Sequence, residues 1–203
     1  METKIYSQCD EQEKIKEFFG SYIGQYLDVG AACGIQFSNV YDLLLSGWSG
    51  TSVEASSVEF GRLQTNYRKF KDRTTLVNVV ISDKEGFTDF YSAGQLSTTS
   101  QNHMKLWEPY AVQHNFTWDP SLNYAITLNK LLEYLKTDFD FVNVDLEGTN
   151  AEVVMSIDWN LLTKCKLICI EHEHKLDSVF EEHLKQFGFS KFHRTPINLL
   201  MGR

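Results

Sequence analysis

The sequence predicts an α/β fold, a doubly wound and mostly parallel sheet within a single domain. Three observations predict it. Short apolar runs alternate with amphipathic stretches along the whole chain, the rhythm of strand–helix–strand units. Several runs are apolar throughout rather than alternating, as in strands covered on both faces. The runs also end in glycine or acidic turns, and open α/β sheets bind ligands just beyond the carboxyl ends of their strands. With 203 residues and no linker, repeat or low-complexity tract, the chain suits one domain.

Each element follows from local pattern. Glu11–Phe19 has the apolar spacing of a helix, with Ile15, Phe18 and Phe19 on one face. Residues 24–29 form a short apolar run ending at a glycine, a buried strand. Residues 36–46 predict a helix with Phe37, Val40, Tyr41, Leu44 and Leu45 on one side and Gly47 as its stop. Residues 50–53 read as a strand, and Ser56 with Glu59 has the capping-box spacing that opens a helix to about Phe70. The β-branched run 75–81 predicts a third strand, and 88–91 a short extra one. Residues 93–123 are polar and aromatic with little periodicity, which predicts a long loop serving as a lid or substrate insertion. Thr127 is placed to cap a helix through Leu135, followed by a buried strand at 139–144 and a helix at 150–156. A fifth strand at 167–170, a helix at 178–187 ended by Gly188, and a closing antiparallel pair at 189–193 and 198–201 complete the chain.

Composition narrows the function. The net charge is −8, and the short basic run of Arg68, Lys69, Lys71 and Arg73 reads as a solvated helix face. Nucleic acid is therefore not an expected partner, since phosphate binding calls for a basic stripe. No apolar stretch is long enough to span a bilayer, and residues 1–17 are too polar for a secretory signal, so no membrane partner and a cytoplasmic location are expected. Cys9, Cys33, Cys165 and Cys169 lack metal-site spacing, and Cys165 and Cys169 read as small core residues.

Five strand ends carry chemistry. The first, Asp28-Val29-Gly30-Ala31-Ala32-Cys33-Gly34, runs from a strand into a glycine turn. Gly30 permits close backbone approach, and Gly34 close packing of the next element. The D-x-G-x-x-x-G spacing lacks the third glycine of dinucleotide sites, which argues against a nicotinamide oxidoreductase. A carboxylate at Asp28 disfavours phosphate and favours an amine-bearing cofactor. The second, Val53-Glu54-Ala55, puts an acid where nucleoside-binding sheets accept ribose hydroxyls. The third, 79–86, ends in a polar turn whose Ser82 or Asp83 can meet an adenine edge or simply close a surface turn. The fourth, Asp145-Leu146-Glu147-Gly148, aims two acids from a strand end or decorates a helix start. The fifth, Glu171-His172-Glu173-His174, offers a carboxylate or an imidazole as a general base. Together with Asp145 and Glu147 it also has the character of a hard-cation site, with Mg²⁺ as a secondary expectation and no dedicated metal site assigned.

These segments together resemble the FkbM family of methyltransferases. The resemblance rests on residues 26–31, Val53-Glu54-Ala55, 80–86, Thr127-Leu128, 141–148 and Ile170-Glu171-His172, in that order and spacing. It leaves out the first 20 residues or so and the 93–123 segment. Ala55 and Ser56 stand where the family commonly has Pro and Asn, and Ala32-Cys33 depart from its usual pair in the turn. The resemblance implies a class I methyltransferase fold, a seven-stranded sheet with its last strand antiparallel, and S-adenosyl-L-methionine as donor. Asp28, Gly30, Ala31, Gly34, Glu54, Ala55, Ser82 and Asp83 would then serve the cofactor. Asp145, Glu147, Glu171 and His172 would serve catalysis. The expected reaction is O-methylation of a small-molecule or sugar hydroxyl, with a catalytically silent adenosyl-ligand-binding subunit as the alternative.

Overall fold

The computed structural model describes residues 4–172 and 176–203. The chain runs through α1 (Glu11–Phe19), β1 (Gln25–Val29), α2 (Tyr41–Leu45), β2 (Ser49–Glu54), α3 (Ser57–Tyr67), β3 (Thr74–Asn78), β4 (Val80–Ser82) and β5 (Gly86–Ser92). It continues through α4 (Gln101–His114), β6 (Asp119–Thr127), α5 (Leu128–Leu135), β7 (Phe141–Val144), α6 (Asn150–Met155), β8 (Leu167–Glu171), α7 (Asp177–Lys185), β9 (Ser190–Arg194) and β10 (Asn198–Gly202). Seven strands form one sheet in the order β3-β2-β1-β7-β8-β10-β9. Only β10 runs against its neighbours; the other pairings in this sheet are parallel. The α/β class and the antiparallel closing strand are as the sequence predicts.

Period-2 alternation sorts the strand residues onto two faces. Leu27, Val29, Val142, Val144, Ile168 and Ile170 pack on one side with Leu131, Val153, Phe180 and Leu184 from α5, α6 and α7. Tyr26, Phe141, Leu167, Cys169 and Leu200 pack on the other with Ile15, Phe19, Leu44 and Leu63 from α1, α2 and α3. Both faces are covered, which explains the continuous apolar runs. Asp28 alternates with Leu27 and Val29, so it enters the second face at its ligand-facing end.

Three sequence expectations are corrected. The helix at 36–46 shrinks to Tyr41–Leu45. Phe37 takes a left-handed φ of 59°, and the Ser38 hydroxyl accepts from the amides of Val40 (3.3 Å) and Tyr41 (3.1 Å), so a turn replaces the first part. The strand at 75–81 divides at Val79. Its first half pairs with β2, while Val80–Ser82 leaves to pair with β6. The 93–123 segment is no loop. It holds α4 and the start of β6, and β4, β6 and β5 make a second, three-stranded sheet. Ser100 caps α4, accepting from the amide of His103 at 3.2 Å. Pro109 lies inside that helix, which is why its pattern was hard to read.

Smaller features follow expectation. Ser56 caps α3 and Thr127 caps α5. Cys165 and Cys169 are buried. The basic run departs in part from the solvated helix face expected of it, since Arg73 donates to the Trp48 carbonyl at 3.0 Å and Lys69 lies over the Phe70 ring at 4.7 Å. No helix among the described residues is long and apolar enough to cross a membrane.

The junction of β1 and β7 places the site. The amide of Asp145 donates to the Val29 carbonyl at 2.9 Å, and the amides of Gly30 and Ala31 donate to the Val53 carbonyl at 3.0 and 2.9 Å. Gly30 has φ 89°, and a Cβ there would run into the Asp145 carbonyl oxygen. Gly61, in α3, has open space around it. Gly30→Ala is therefore expected to cost at least ~1–3 kcal/mol of stability from backbone strain alone. Gly61→Ala should instead add about 0.5–1 kcal/mol by helix propensity. Urea denaturation of the two variants beside the parent checks both signs.

Candidate active site

The sheet reverses its direction of winding between β1 and β7, and a cleft of about 350 Å³ opens there at the carboxyl ends of the strands. Its floor is Asp28, Gly30 and Ala31 from β1 and its turn, with Glu54 and Ala55 from β2. Val79, Val80 and Ile81 form an apolar side wall, and Asp145 and Glu147 stand opposite after β7. Trp107 and Tyr110 of α4 also line the cleft.

Asp28 is 3 % exposed and is held by a chain of side-chain amides. Asn143 Nδ2, directly across the β1–β7 register, donates to Asp28 Oδ1 at 2.9 Å. Asn39 Nδ2 in turn donates to Asn143 Oδ1 at 3.0 Å. Burial pushes the Asp28 carboxyl up to about 7, against the pull of the Asn143 hydrogen bond. Glu54 is 7 % exposed and accepts from two backbone amides, Ala32 on Oε2 at 2.8 Å and Ser56 on Oε1 at 2.6 Å. Burial pushes it too up to about 7, with those amides acting in the opposite direction. Glu54 thereby ties the glycine turn of β1 to the cap of α3. Each carboxylate oxygen keeps further acceptor capacity toward the cleft.

The opposite wall is a group of acids. Asp145, Glu147 and Glu171 each present an oxygen within 4.8 Å of the others. Burial first, then the charges of Glu171 and Glu147, hold the Asp145 carboxyl well above its ordinary range. Asn150 organises the group, accepting from the Leu146 amide at 2.7 Å and donating to Glu171 Oε2 at 3.0 Å. Glu147 sits in the left-handed region at φ 49°. Its carbonyl accepts from Thr98 Oγ1 at 2.6 Å, and its carboxylate lies 3.0 Å from His103 Nε2. Thr98 and His103 both belong to the segment between β5 and β6, so that segment is fastened to the acidic turn.

The structure thus gathers Asp28, Gly30, Ala31, Glu54, Ala55, Asp145 and Glu147 at one cleft, with Glu171 behind the two acids. It sets the others apart. Gly34 faces α3, where a Cβ would strike Leu63 and Tyr67, so its role is in packing. Ser82 and Asp83 are not among the lining residues; Ser82 extends the β4–β6 pairing and donates to Asp83 at 3.2 Å. The residues just before them make the wall instead. His172 is completely buried where β8 meets the start of β10. Its Nε2 is 3.1 Å from the Thr195 carbonyl and its Nδ1 3.2 Å from Asp177. It follows Glu171 in the chain, and alternation sends it away from the acidic group, so it does not stand where a general base for the cleft must. Glu173 and His174 lie outside the described residues. Among the aromatics of the 93–123 segment, Trp107 and Tyr110 reach the cleft, whereas Phe116 and Trp118 pack against each other at 5.7 Å. Asn143, Asn39 and Thr98 were not anticipated. Asn143 had a signal, as a lone polar residue in an apolar strand; the other two are set by tertiary contact alone.

This sheet order and switch-point cleft are those of class I methyltransferases, and the comparisons agree. The methyltransferase FkbM domain family matches residues 28–191, and the chain belongs to that family. No curated protein sequence matches it. Among solved structures, an FkbM methyltransferase from Methylobacillus flagellatus KT superposes with a TM-score of 0.59 at 13% identity, over 89% of this chain and 44% of that one. The chain therefore spans less than half the length of that protein. A precorrin-6y C5,15-methyltransferase from Geobacter metallireducens GS-15 gives 0.51 at 12% identity, over 100% and 93% of the two chains. The N-terminal domain of human METTL16 in complex with SAH gives 0.52 at 15% identity, over 99% and 71%. At these identities the likeness is one of fold.

Burial of the two floor carboxylates has a consequence for stability. Asp28 and Glu54 rise from ordinary values of 3.8 and 4.5 to about 7 in the folded chain. Between those values the folded state holds more protons than the unfolded one, so their contribution is greatest at low pH and is lost as pH rises through 7. Asp28→Asn keeps the acceptor for Asn143 and removes the charge. Its urea midpoint is expected to fall less than the parent's between pH 5 and pH 8.

Proposed function

We propose that the chain is an S-adenosyl-L-methionine-dependent O-methyltransferase acting on a hydroxyl of a small molecule or sugar. The observation that carries the reading is the pair Asp28 and Glu54, two buried carboxylates at the ends of adjacent parallel strands, both opening onto one cleft. Glu54 is positioned to accept from vicinal ribose hydroxyls and Asp28 to attract an amine. Ala55 and Val79–Ile81 suit the face of an adenine ring. The described lining residues include no lysine or arginine, so a phosphate-bearing dinucleotide fits poorly and a cofactor of net positive charge fits well.

When bound, that donor supplies an electrophilic methyl group on a sulfonium, which leaves as a neutral thioether. The chain's task is alignment of the acceptor and removal of its proton. Asp145 is our general base. It adjoins the β1 turn through its own backbone, and its raised carboxyl holds a proton more readily than an ordinary aspartate. Glu147 and Glu171 set its charge environment. The segment carrying Trp107 and Tyr110 acts as the cover of the acceptor site in a single-domain enzyme. Mg²⁺ is not required by this scheme.

Calorimetric titration with S-adenosylhomocysteine tests the donor site. The parent should bind in the micromolar range, more tightly at pH 8 than at pH 6 as Asp28 and Glu54 ionise. Asp28→Ala and Glu54→Ala should each weaken binding at least tenfold while retaining the far-ultraviolet circular dichroism of the parent. Unchanged affinity in both variants would sink the assignment.

A further inference from the structure

The class of acceptor can be taken further, resting on the donor reading above. The described residues that line the cleft include four acids, Asp28, Glu54, Asp145 and Glu147, and no lysine, arginine or histidine. Two of the acids belong to the donor end. The other two, with Glu171 behind them, crowd three carboxylates within 4.8 Å at the end where the acceptor must sit. Like charges at that spacing repel, and a nearby cation relieves them. Partial relief comes from the protein. Asn150 donates to Glu171 at 3.0 Å, and the buried ring of His103 lies 3.0 Å from Glu147. Asp145 Oδ1 is shielded from solvent and meets no N–H donor, and the Asp145 carboxyl lies in hydrogen-bonding reach of Glu171. Trp107 and Tyr110, whose rings lie 5.6 Å apart and nearly perpendicular, line the same cleft as Asp145 and Glu147. Carboxylates and aromatic rings lining one cleft are the two features that recognise an ammonium group.

We propose that the acceptor is a small hydroxyl compound bearing an ammonium group, of the amino-sugar or amino-alcohol class. Glu147 and the aromatic pair hold the ammonium, and the neighbouring hydroxyl is turned toward Asp145, the acid nearer the β1 turn. Charge works against the alternatives. A sugar phosphate or an RNA would bring anions to a cleft whose described lining residues include four acids and no lysine, arginine or histidine. A neutral sugar would bring no positive charge to the acidic group.

The test is titration of the chain, saturated with S-adenosylhomocysteine, with a matched set: glucosamine, N-acetylglucosamine, glucose, glucose 6-phosphate and a short RNA hairpin. Glucosamine is expected to bind at least tenfold more tightly than its acetylated and phosphorylated counterparts. Glu147→Gln and Trp107→Ala should each remove that preference, and S-adenosylhomocysteine affinity is read in the same titrations. Equal binding of glucose and glucosamine would overturn the proposal. So would tighter binding of the phosphate or RNA, or no glucosamine binding by a chain that takes S-adenosylhomocysteine. Mg²⁺ or Mn²⁺ binding without amine, abolished by Glu147→Gln, would overturn it in favour of a metal. Failure to bind S-adenosylhomocysteine would instead remove the donor reading beneath it.

Discussion

Asp28 is the constraint around which the rest is arranged. A carboxylate buried at the end of a central strand is destabilising unless something compensates it, and here the compensation comes from the strand next door. Asn143 lies across the register from Asp28, and Asn39 braces Asn143 from the turn before α2. Shortening the helix expected at 36–46 is what frees Asn39 to do so. Two residues further along β1, Gly30 allows the Asp145 carbonyl to approach the backbone closely. The same junction therefore sets both walls of the cleft. Glu54 then fixes the third side by binding the amides of Ala32 and Ser56. Asp28, Asn143 and Glu54 are each buried and hydrogen-bonded, which braces the floor of the cleft.

The roof is built differently. Its residues come from the segment between β5 and β6. Thr98 and His103 both converge on Glu147, a residue already in a left-handed conformation. Backbone strain of that kind persists where surrounding contacts over-determine it, and it gathers at working sites. Helix α4 lends Trp107 and Tyr110 to the cleft lining, with Tyr110 still 43% exposed, while Leu106 and Val112 are exposed outside it. Buried acids and aromatic rings lining one cleft make a selective arrangement for charge as well as for shape.

The division between what could and could not be read from sequence follows the same line. Strand ends are legible because a buried strand must be apolar and must then stop, and Asp28, Glu54 and Asp145 mark those stops. The order of the large sheet follows from the family resemblance and the handedness of its crossovers. The second sheet had no such signature. β6 contains Pro120 and Asn123, and it is a strand because β5 pairs with it along Gly86–Ser92. Pro120 is accommodated because β4 pairs only with 125–127, leaving that end of β6 open on one side. His172 misled for a related reason. Its residue type suits catalysis, but alternation along β8 decides which way it faces, and Glu171 takes the side of the acidic group. Ser82 and Asp83, expected to meet an adenine edge or to close a surface turn, lie just past the cleft lining, because the strand bends away at Val79 before it ends.

The most direct test of the account is a crystal structure of the chain with S-adenosylhomocysteine. The account predicts the ribose hydroxyls within hydrogen-bond distance of the Glu54 carboxylate, the adenine beside Ala55 and Ile81, and the sulfur facing Asp145. A ligand seated elsewhere, or seated in the cleft with its ribose turned away from Glu54, would contradict it.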